Sequence, residues 1–391
     1  MFMKRVFLIV LDSVGMGKAK DAKDFGDEGA NTLLSCSKSP YFAMPNMRNL
    51  GYFNIEGMEL DIEEENFLGQ EKSKANSKAD SFKGAVCRLR EASAGKDTTI
   101  GHWEIAGLIS DKPLPTYPNG FPDDIISDIK GITCRGVLCN KPYSGTEVIN
   151  DYGDEHMRSG DLIVYTSADS VLQIAAHEDK VPVDKLYSYC EKVRELLQGE
   201  HGVGRVIARP FIGTSGKYVR TSNRHDFSIK PPKDTMLNKL QDKGYETLAV
   251  GKIFDIFAGQ GISDYVRTTS NEDGINKTLE MMDRDFEGIC FVNLVDYDML
   301  YGHRRDRDGY AKALSYFDER LPEILGKMRS EDILMITADH GCDPDFKGTD
   351  HTRECVPLLM YGTPIPSNTN LGTKDSFTYV ADTVMEYFDI V

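Results

Sequence analysis

The chain has few of the features that mark exported, membrane-bound or nucleic-acid-binding proteins. Its eight cysteines include no CxxC pair, so neither a disulfide framework nor a zinc finger is indicated, and we expect a reducing, cytoplasmic location. The apolar run at residues 6–11 is too short for a signal core or a membrane span. The net charge of −16 argues against nucleic acid or an anionic membrane as a partner.

Two changes of composition divide the sequence. Residues 59–83 are rich in Glu, Lys, Ser, Asn and Gly, which predicts a solvated insertion or loop rather than a core element. Prolines become frequent after Leu108, and a chain of 391 residues favours two or three domains. We therefore predict a core made of residues 1–110 and 226–391, interrupted by a smaller inserted domain at residues 111–225.

Three apolar segments each lead into an aspartate. Residues 5–11, 288–295 and 334–338 are continuous apolar runs, which predicts strands buried on both faces of a mainly parallel sheet. Such sheets gather ligands outside the carboxyl ends of their strands. The aspartates at these ends and the histidines near them can therefore converge: Asp12, Asp298, His303, Asp339, His340 and His351.

Carboxylates and imidazoles together suit a hard-to-borderline divalent cation. Six ligands are too many for one ion that must also bind a substrate, and they suit a pair of ions about 4 Å apart. Since three of the six are anionic, two divalent ions would leave a net positive site that favours a phosphate ligand. The alternative makes Asp12 and Asp339 helix caps and leaves the histidines on the surface. Repetition of the pattern at three strand ends favours the metal site.

Two adjacent threonines, Thr98 and Thr99, stand between a Lys-Asp and a Gly-His pair. Their hydroxyls could cap the start of a helix by accepting from backbone N–H groups. They could equally present an alkoxide nucleophile, for which coordination to a metal is one of the few means of activation. The residues by themselves leave both interpretations open.

This acidic chain has a local group of arginines, Arg205, Arg209, Arg220 and Arg224. Residues 204–209 are predicted to form a strand, in which alternate side chains share a face, so Arg205 and Arg209 point the same way. Guanidinium groups match phosphate oxygens, which makes the group a candidate phosphate clamp. The alternative is that these arginines pair with surface carboxylates.

Along nearly its whole length the sequence resembles the phosphopentomutases of the alkaline phosphatase superfamily. The specific motifs are GKDT at residues 95–98 with GHWE at 101–104, and YTSADS at 165–170, whereas ADHG at 338–341 is shared more widely. The resemblance implies an α/β fold: an alkaline-phosphatase-like core with a central, mainly parallel sheet flanked by helices, and an inserted smaller α/β cap domain.

The same resemblance implies a function. Phosphopentomutases interconvert the 1-phosphate and 5-phosphate of ribose or 2-deoxyribose, through a phosphothreonine enzyme and a 1,5-bisphosphate intermediate. The implied cofactors are two divalent metal ions, usually Mn²⁺, with a sugar bisphosphate as activator. The partners would be small pentose phosphates, without nucleic acid or membrane, and we expect a monomer or small homo-oligomer in the cytoplasm.

Roles for individual residues also follow from the resemblance. Thr98 matches the nucleophile, and the ligands divide into one metal group with Asp12, Asp339 and His340, shared with Thr98, and another with Asp298, His303 and His351. The cap residues matched are Ser167 and Asp169 for the pentose, and Arg205 and Arg220 for its distal phosphate. Three departures occur: Ile100 replaces a frequent hydroxyl residue, Cys342 replaces a usual Asn, and residues 59–83 look long while the C-terminus looks short.

Three other functions remain open from the sequence. A phosphatase or phosphodiesterase of the same superfamily would share the metals without needing contacts from the cap. A metal-dependent phosphoglycerate mutase typically carries Ser at the position of the nucleophile. A non-catalytic protein that has kept the fold and the metals would only bind a sugar phosphate.

Overall fold

The computed structural model describes residues 3–60, 74–167 and 169–390. Two compact units are formed, one by Met1–Pro113 with Pro231–Val391 and the other by Leu114–Lys230. The strands in chain order are β1 (Arg5–Leu11), β2 (Ala85–Leu89), β3 (Val137–Pro142), β4 (Leu162–Thr166), β5 (Val171–His177), β6 (Arg205–Ile212), β7 (Val219–Arg220), β8 (His225–Ser228), β9 (Glu246–Val250), β10 (Asp264–Val266), β11 (Gly288–Leu294), β12 (Asp332–Thr337), β13 (Val356–Tyr361) and β14 (Thr369–Lys374).

Helices connect most of these strands. The α-helices in chain order are α1 (Thr32–Ser37), α2 (Pro45–Leu50), α3 (Thr98–Ile105), α4 (Asp123–Thr133), α5 (Glu147–Ser159), α6 (Val183–Leu196), α7 (Met236–Asp242), α8 (Ile253–Ile256), α9 (Asn271–Asp283), α10 (Arg307–Lys327) and α11 (Tyr379–Tyr387). Within the described ranges, none of them combines the length and the apolar character needed to cross a bilayer.

The first unit contains an eight-stranded sheet in the order β10-β9-β11-β1-β12-β13-β2-β14. Strand β13 runs antiparallel to both of its neighbours, and the other pairings are parallel. Every residue of β1, β11 and β12 is buried, as expected for apolar strands covered on both faces. The prediction of an α/β fold with a mainly parallel sheet is confirmed, and the carboxyl ends of these three strands lie side by side.

The second unit has its own sheet in the order β3-β4-β5-β6-β7, with β8 paired to β6. Helices α4 and α6 supply apolar residues to one hydrophobic cluster of this sheet, and α5 supplies residues to another. In α6, the apolar stripe of Leu186, Cys190 and Val193 is fully buried, in agreement with its prediction as core material.

Most described residues of the predicted solvated loop at residues 59–83 are exposed or half-buried, as expected, but Asn76 and Ala79 are buried; residues 61–73 lie outside the described part of the chain. Asn76 is buried, its amide donates to the carbonyl oxygen of Phe42 at 3.0 Å, and its Oδ1 accepts from the N–H of Met44 at 2.9 Å. These bonds satisfy the polar groups of Asn76, so a residue from a polar stretch belongs to the interior.

Candidate active site

One group of possible metal ligands follows β1 and β12. Asp12, Asp339 and His340 are almost completely buried, and one ligand atom from each lies within 4.8 Å of the others. The Nε2 atom of His340 is 3.2 Å from Oδ2 of Asp339 and 3.5 Å from Oδ1 of Asp12. Because β1 and β12 are parallel neighbours, the two carboxylates and the imidazole that follow them lie close together.

A second group forms beyond β11, where the chain makes a π-helical turn at Tyr297–Gly302. Asp298 lies in this turn, with its Oδ2 3.3 Å from Nε2 of His303 and its Oδ1 3.3 Å from Nε2 of His351. The rings of His351 and His340 stack with their centroids 3.9 Å apart. The two groups are therefore adjacent, as a binuclear centre requires.

The three histidines are oriented in the same way. Each places Nδ1 against a backbone carbonyl oxygen, which can only accept, so Nδ1 carries a proton and Nε2 is the atom that faces the carboxylates and is available to bind a cation. The three bonds are His303 to Thr349 at 2.6 Å, His351 to Lys96 at 3.1 Å and His340 to Gly341 at 3.1 Å. This is the arrangement that metal-binding histidines need.

The donor atoms of these groups fit a pair of divalent cations. Among the described residues, buried atoms without a hydrogen bond include Asp12 Oδ1, Asp298 Oδ1, Asp339 Oδ2 and His351 Nε2. Leaving carboxylate oxygens buried and unsatisfied is expensive, and cations would satisfy them. Carboxylate oxygen and imidazole nitrogen donors together suit a divalent cation.

Electrostatics within the groups is strong. Burial, followed by the negative charge of Asp339, raises the pKa of Asp12 to about 6. Burial would raise the pKa of Asp339 and Asp298 too, but adjacent histidines hold both values below the usual range. Burial in turn disfavours the charged form of His340, yet Asp339 and Asp12 raise its pKa well above normal. In the metal-free protein, the protonated His340 thus balances part of the carboxylate charge that cations would otherwise balance.

Thr98 is the first residue of α3, and its hydroxyl does not cap the helix. That role belongs to Asp97, whose Oδ1 accepts from the N–H groups of Thr99 at 3.0 Å and Ile100 at 3.2 Å. The Oγ1 atom of Thr98 instead lies 3.1 Å from Nε2 of His340. A partly exposed hydroxyl therefore adjoins the first ligand group, where a nucleophile would have to be.

Glu354 is a site-supporting residue that sequence reasoning missed. Its buried carboxylate accepts from the N–H groups of Gly17 at 2.8 Å and Thr32 at 2.9 Å, and from the hydroxyls of Thr32 and Thr352. It thereby joins the loop after β1 to the segment that carries His351. A side chain at Gly15 or Gly341 would overlap this carboxylate. In the sequence, the only indication of this role is the two glycines, because a buried carboxylate that contacts the backbone requires neighbours without side chains.

The two unusual residues near the site are both buried. Ile100 is 1% exposed in the first turn of α3, and Cys342 is 2% exposed. The N–H of Cys342 donates to the hydroxyl of Thr32 at 3.1 Å, and its Sγ is 3.7 Å from the carbonyl oxygen of Asp350. Cys342 thus contacts the segment that supplies His351.

Three of the four predicted substrate residues lie together in the second unit, Ser167 and Asp169 after β4 and Arg205 at the start of β6. Oγ of Ser167 accepts from the N–H of Asp169 at 3.3 Å, and Oδ2 of the exposed Asp169 is 3.7 Å from Nη2 of Arg205. Arg205 is also 3.5 Å from Asp226. Ala168, between the first two, is outside the described residues. This small cluster offers a hydroxyl, a carboxylate and a guanidinium to a ligand.

The fourth, Arg220, lies on β7 and lines a cavity of about 650 Å³ together with Arg209 and Arg224. Arg224 is held by Asp226 through two bonds of 2.7 and 2.6 Å, so the alternative of carboxylate pairing applies to it. The Oη atom of Tyr165 is buried without a hydrogen-bond partner among the described residues. A Cβ atom built at Gly145 would be 2.9 Å from that oxygen and 3.3 Å from Nη1 of Arg220, so both groups meet beside this glycine.

Comparisons with known proteins agree on one group of relatives. Residues 4–390 match the Metalloenzyme superfamily. The chain is 58% identical over 388 residues to a phosphopentomutase of Lachnoclostridium phytofermentans and 56% identical over 389 residues to one of Acetivibrio thermocellus, covering 99% of this chain and 96% of each relative. Among solved structures, the PH0037 protein of Pyrococcus horikoshii aligns with a TM-score of 0.50 at 15% identity, over 100% of this chain and 99% of that one, which is a likeness of fold.

Proposed function

The chain belongs to the phosphopentomutase family of the metalloenzyme superfamily, and from this membership we propose that it interconverts the 1-phosphate and 5-phosphate of ribose or 2-deoxyribose. It would then be an isomerase that moves a phosphoryl group within one sugar. The observation that carries the proposal is the position of the Thr98 hydroxyl, uncommitted to capping and 3.1 Å from His340 in the ligand group.

The reaction begins from phosphothreonine at Thr98. Its phosphoryl group passes to the unphosphorylated hydroxyl of the bound sugar phosphate, the Thr98 oxygen leaves, and a 1,5-bisphosphate forms. This intermediate turns end for end, and the opposite phosphoryl group returns to the Thr98 oxygen, which releases the isomeric monophosphate. Two divalent cations, held by the two ligand groups, would neutralise charge on the transferring oxygens and keep the Thr98 oxygen deprotonated.

As a member of a metalloenzyme family, the protein depends on divalent metal. We propose Mn²⁺ as the ion, which suits mixed carboxylate and imidazole ligands. A bisphosphate of the sugar would act as activator, because an enzyme that starts from an unmodified Thr98 needs a phosphoryl donor before its first turnover.

The sugar-binding part of the proposal concerns the second unit, which we interpret as an inserted cap. Ser167 and Asp169 would bind the pentose hydroxyls, and Arg205 and Arg220 would bind the distal phosphate. The grouping of Ser167, Asp169 and Arg205, and the arginine-lined cavity that contains Arg220, support this assignment. Tight contacts with the sugar would favour transfer to its hydroxyl over transfer to water, which separates a mutase from a phosphatase.

The remaining parts of the proposal concern the cell. A protein of net charge −16 that acts on small pentose phosphates needs neither nucleic acid nor a membrane, and we place it in the cytoplasm as a monomer or small homo-oligomer.

Mass spectrometry after incubation with Mn²⁺ and a pentose bisphosphate tests the mechanism. We expect one added phosphoryl group on Thr98, its loss in Thr98→Val, and its retention in the adjacent control Thr99→Val. A phosphoryl group on another residue, or on none, would overturn the mechanism. Rapid release of phosphate from ribose 5-phosphate without isomerisation would make the protein a phosphatase, and turnover of 3-phosphoglycerate would make it a phosphoglycerate mutase.

A further inference from the structure

A buried chain of hydrogen bonds joins the helix of Thr98 to one proposed metal ligand and passes beside a second. The chain runs from the carbonyl oxygen of Thr98 through His102 and Asn293 to Asp12, and Nδ1 of His102 also lies 3.1 Å from Oδ2 of Asp339. The side chains of Asp12, His102, Asn293 and Asp339 are all 0% exposed. Each bond in such a chain is protected from water, so its geometry is strongly constrained.

The surroundings of His102 define which nitrogen carries the proton. Its Nδ1 lies 2.8 Å from the carbonyl oxygen of Thr98 and 3.1 Å from Oδ2 of Asp339. Both oxygens act only as acceptors, so Nδ1 is the donor. Nε2 is 3.3 Å from Nδ2 of Asn293, which donates to it. The ring also stacks on Phe291, with centroids 5.8 Å apart, which fixes its plane.

Asn293 uses both hydrogens of its amide. Nδ2 donates to Oδ2 of Asp12 at 2.7 Å, and its second hydrogen points towards Nε2 of His102. The opposite orientation would place the amide oxygen against a carboxylate oxygen and a ring nitrogen with a lone pair, which is repulsive on both sides. The Asn293 amide is therefore the donor to both Asp12 and His102.

One oxygen of each carboxylate remains for a cation. Oδ2 of Asp12 is held by Asn293, while Oδ1 has no hydrogen bond within the described part of the protein. Oδ1 of Asp339 accepts from the N–H of Ser13 at 3.0 Å, and its Oδ2, also without a hydrogen bond there, faces both His340 and His102. Each carboxylate would accordingly bind metal through a single oxygen.

We propose that His102 and Asn293 are positioning residues for the first metal group. Asn293 holds Asp12 as a single-oxygen ligand, and His102 orients Asn293 and lies against the metal-facing oxygen of Asp339. Through its bond to the Thr98 carbonyl oxygen, His102 also keeps the first turn of α3 in a fixed position relative to those ligands. The inference rests on the proposed function, because it takes the group of Asp12, Asp339 and His340 to bind a divalent cation.

Calorimetric titration of Mn²⁺ into metal-free protein tests this role. Glutamine at position 102 can still accept from Asn293 but has no donor at the place of Nδ1, so His102→Gln should weaken one of two Mn²⁺ sites by about tenfold to hundredfold. His102→Asn retains a donor near that place and should lose less. Asn293→Leu should weaken the same site, and its effect should not add to that of His102→Gln.

A matched control is His156→Gln in the second unit. His156 is equally buried, its Nδ1 donates to the carbonyl oxygen of Asp161, and its Nε2 accepts from the N–H of His177. We expect its variant to bind both Mn²⁺ ions with unchanged affinity. Unchanged affinity in His102→Gln and Asn293→Leu, or equal weakening of both sites, would overturn the positioning role.

A second measurement uses unmodified protein and does not depend on the variants folding. Nitrogen-15 NMR of the metal-free wild type should show His102 as the neutral tautomer protonated at Nδ1, and protonation at Nε2 would contradict the inference. Wild-type protein that binds no Mn²⁺ would overturn the metal centre and this inference together. Two bound ions with unaffected variants would overturn this inference alone.

Discussion

Gly101 lies directly against the backbone of Asp339, so closely that a Cβ atom at position 101 would overlap the carbonyl oxygen of Asp339. Backbone on both sides of this contact cannot rotate out of the way. The distance between α3, which begins with Thr98, and the end of β12 is therefore set by the absence of a side chain. The contact between Gly101 and Asp339 therefore fixes the position of Thr98 relative to the first ligand group.

Gly101→Ala should separate Thr98 from the ligands. We expect the rate of Thr98 phosphorylation to fall by about a hundredfold, because a misplacement on the order of 1 Å has that effect on transfer reactions. The measurement is single-turnover phosphorylation with a pentose bisphosphate. Gly326→Ala, at a helical glycine with no atom near its added methyl group, should keep the rate and gain up to about 1 kcal/mol of stability. Equal rates in both variants would contradict the argument.

Glu354 should make the metal-free protein less stable as pH rises. Burial raises its pKa to about 7, against 4.5 for an ordinary glutamate. Below pH 4.5 the carboxyl group of Glu354 is protonated in both the folded and the unfolded chain. Its contribution to the stability of the fold is therefore fully present there, and it is lost as pH rises through about 7. Between pH 4.5 and 7 the free energy of unfolding of the wild type should fall by about 1.4 kcal/mol per pH unit relative to that of Glu354→Gln.

Denaturant unfolding from pH 5 to 8, with a chelator present, measures the effect of Glu354. Glu280→Gln, at an exposed carboxylate paired with Lys277, is the control and should follow the wild-type profile. Parallel profiles for the wild type and Glu354→Gln would show that the buried carboxyl does not titrate in this range.

Removing metal should destabilise the protein, because buried carboxylate oxygens then lose their partners. A cation present at 100 times its Kd contributes about 2.7 kcal/mol to the free energy of unfolding. Asp298→Asn should bind one Mn²⁺ per chain and lose part of this stabilisation, whereas Asp283→Asn, at an exposed residue paired with Lys327, should bind two. Metal analysis and thermal unfolding with and without chelator report both quantities. If Asp298→Asn still binds two ions per chain, Asp298 is not a metal ligand.

The cap interpretation predicts a separation of metal binding from mutase activity. Asp169→Ala should lose isomerisation of pentose phosphates while keeping its metal content, because the exposed carboxylate belongs to a different unit from the metal ligands. Asp179→Ala, another exposed aspartate of the same unit, is the matched control and should remain active. Loss of metal from Asp169→Ala would show that its role has been misassigned.

The sequence predicted the sheet because long apolar strands are a local signal. Residues 5–11, 288–294 and 332–337 form buried parallel strands, whereas their order in the sheet depends on long-range pairing that no local pattern predicts. The N-cap of α3 could not be predicted from the sequence, which left the threonine hydroxyls as candidates, whereas Asp97 caps the helix in the structure. Glu354 and Asn293 were missed because their partners are remote in sequence, and hydrogen bonds between distant residues leave no periodic pattern. Asn76 is buried within a polar stretch for the same reason.

The central position of β1 has a consequence for how the protein is made. Within the described part of the chain, this first strand pairs with β11 and β12, and the proposed ligands Asp12 and His351 are far apart in the sequence. During synthesis β1 must wait for most of the polypeptide to leave the ribosome before it finds either neighbour. Capture of the proposed cations would then be among the last events of biogenesis, and a chain truncated before β11 would leave the apolar strand β1 unpaired and open to chaperones and proteases.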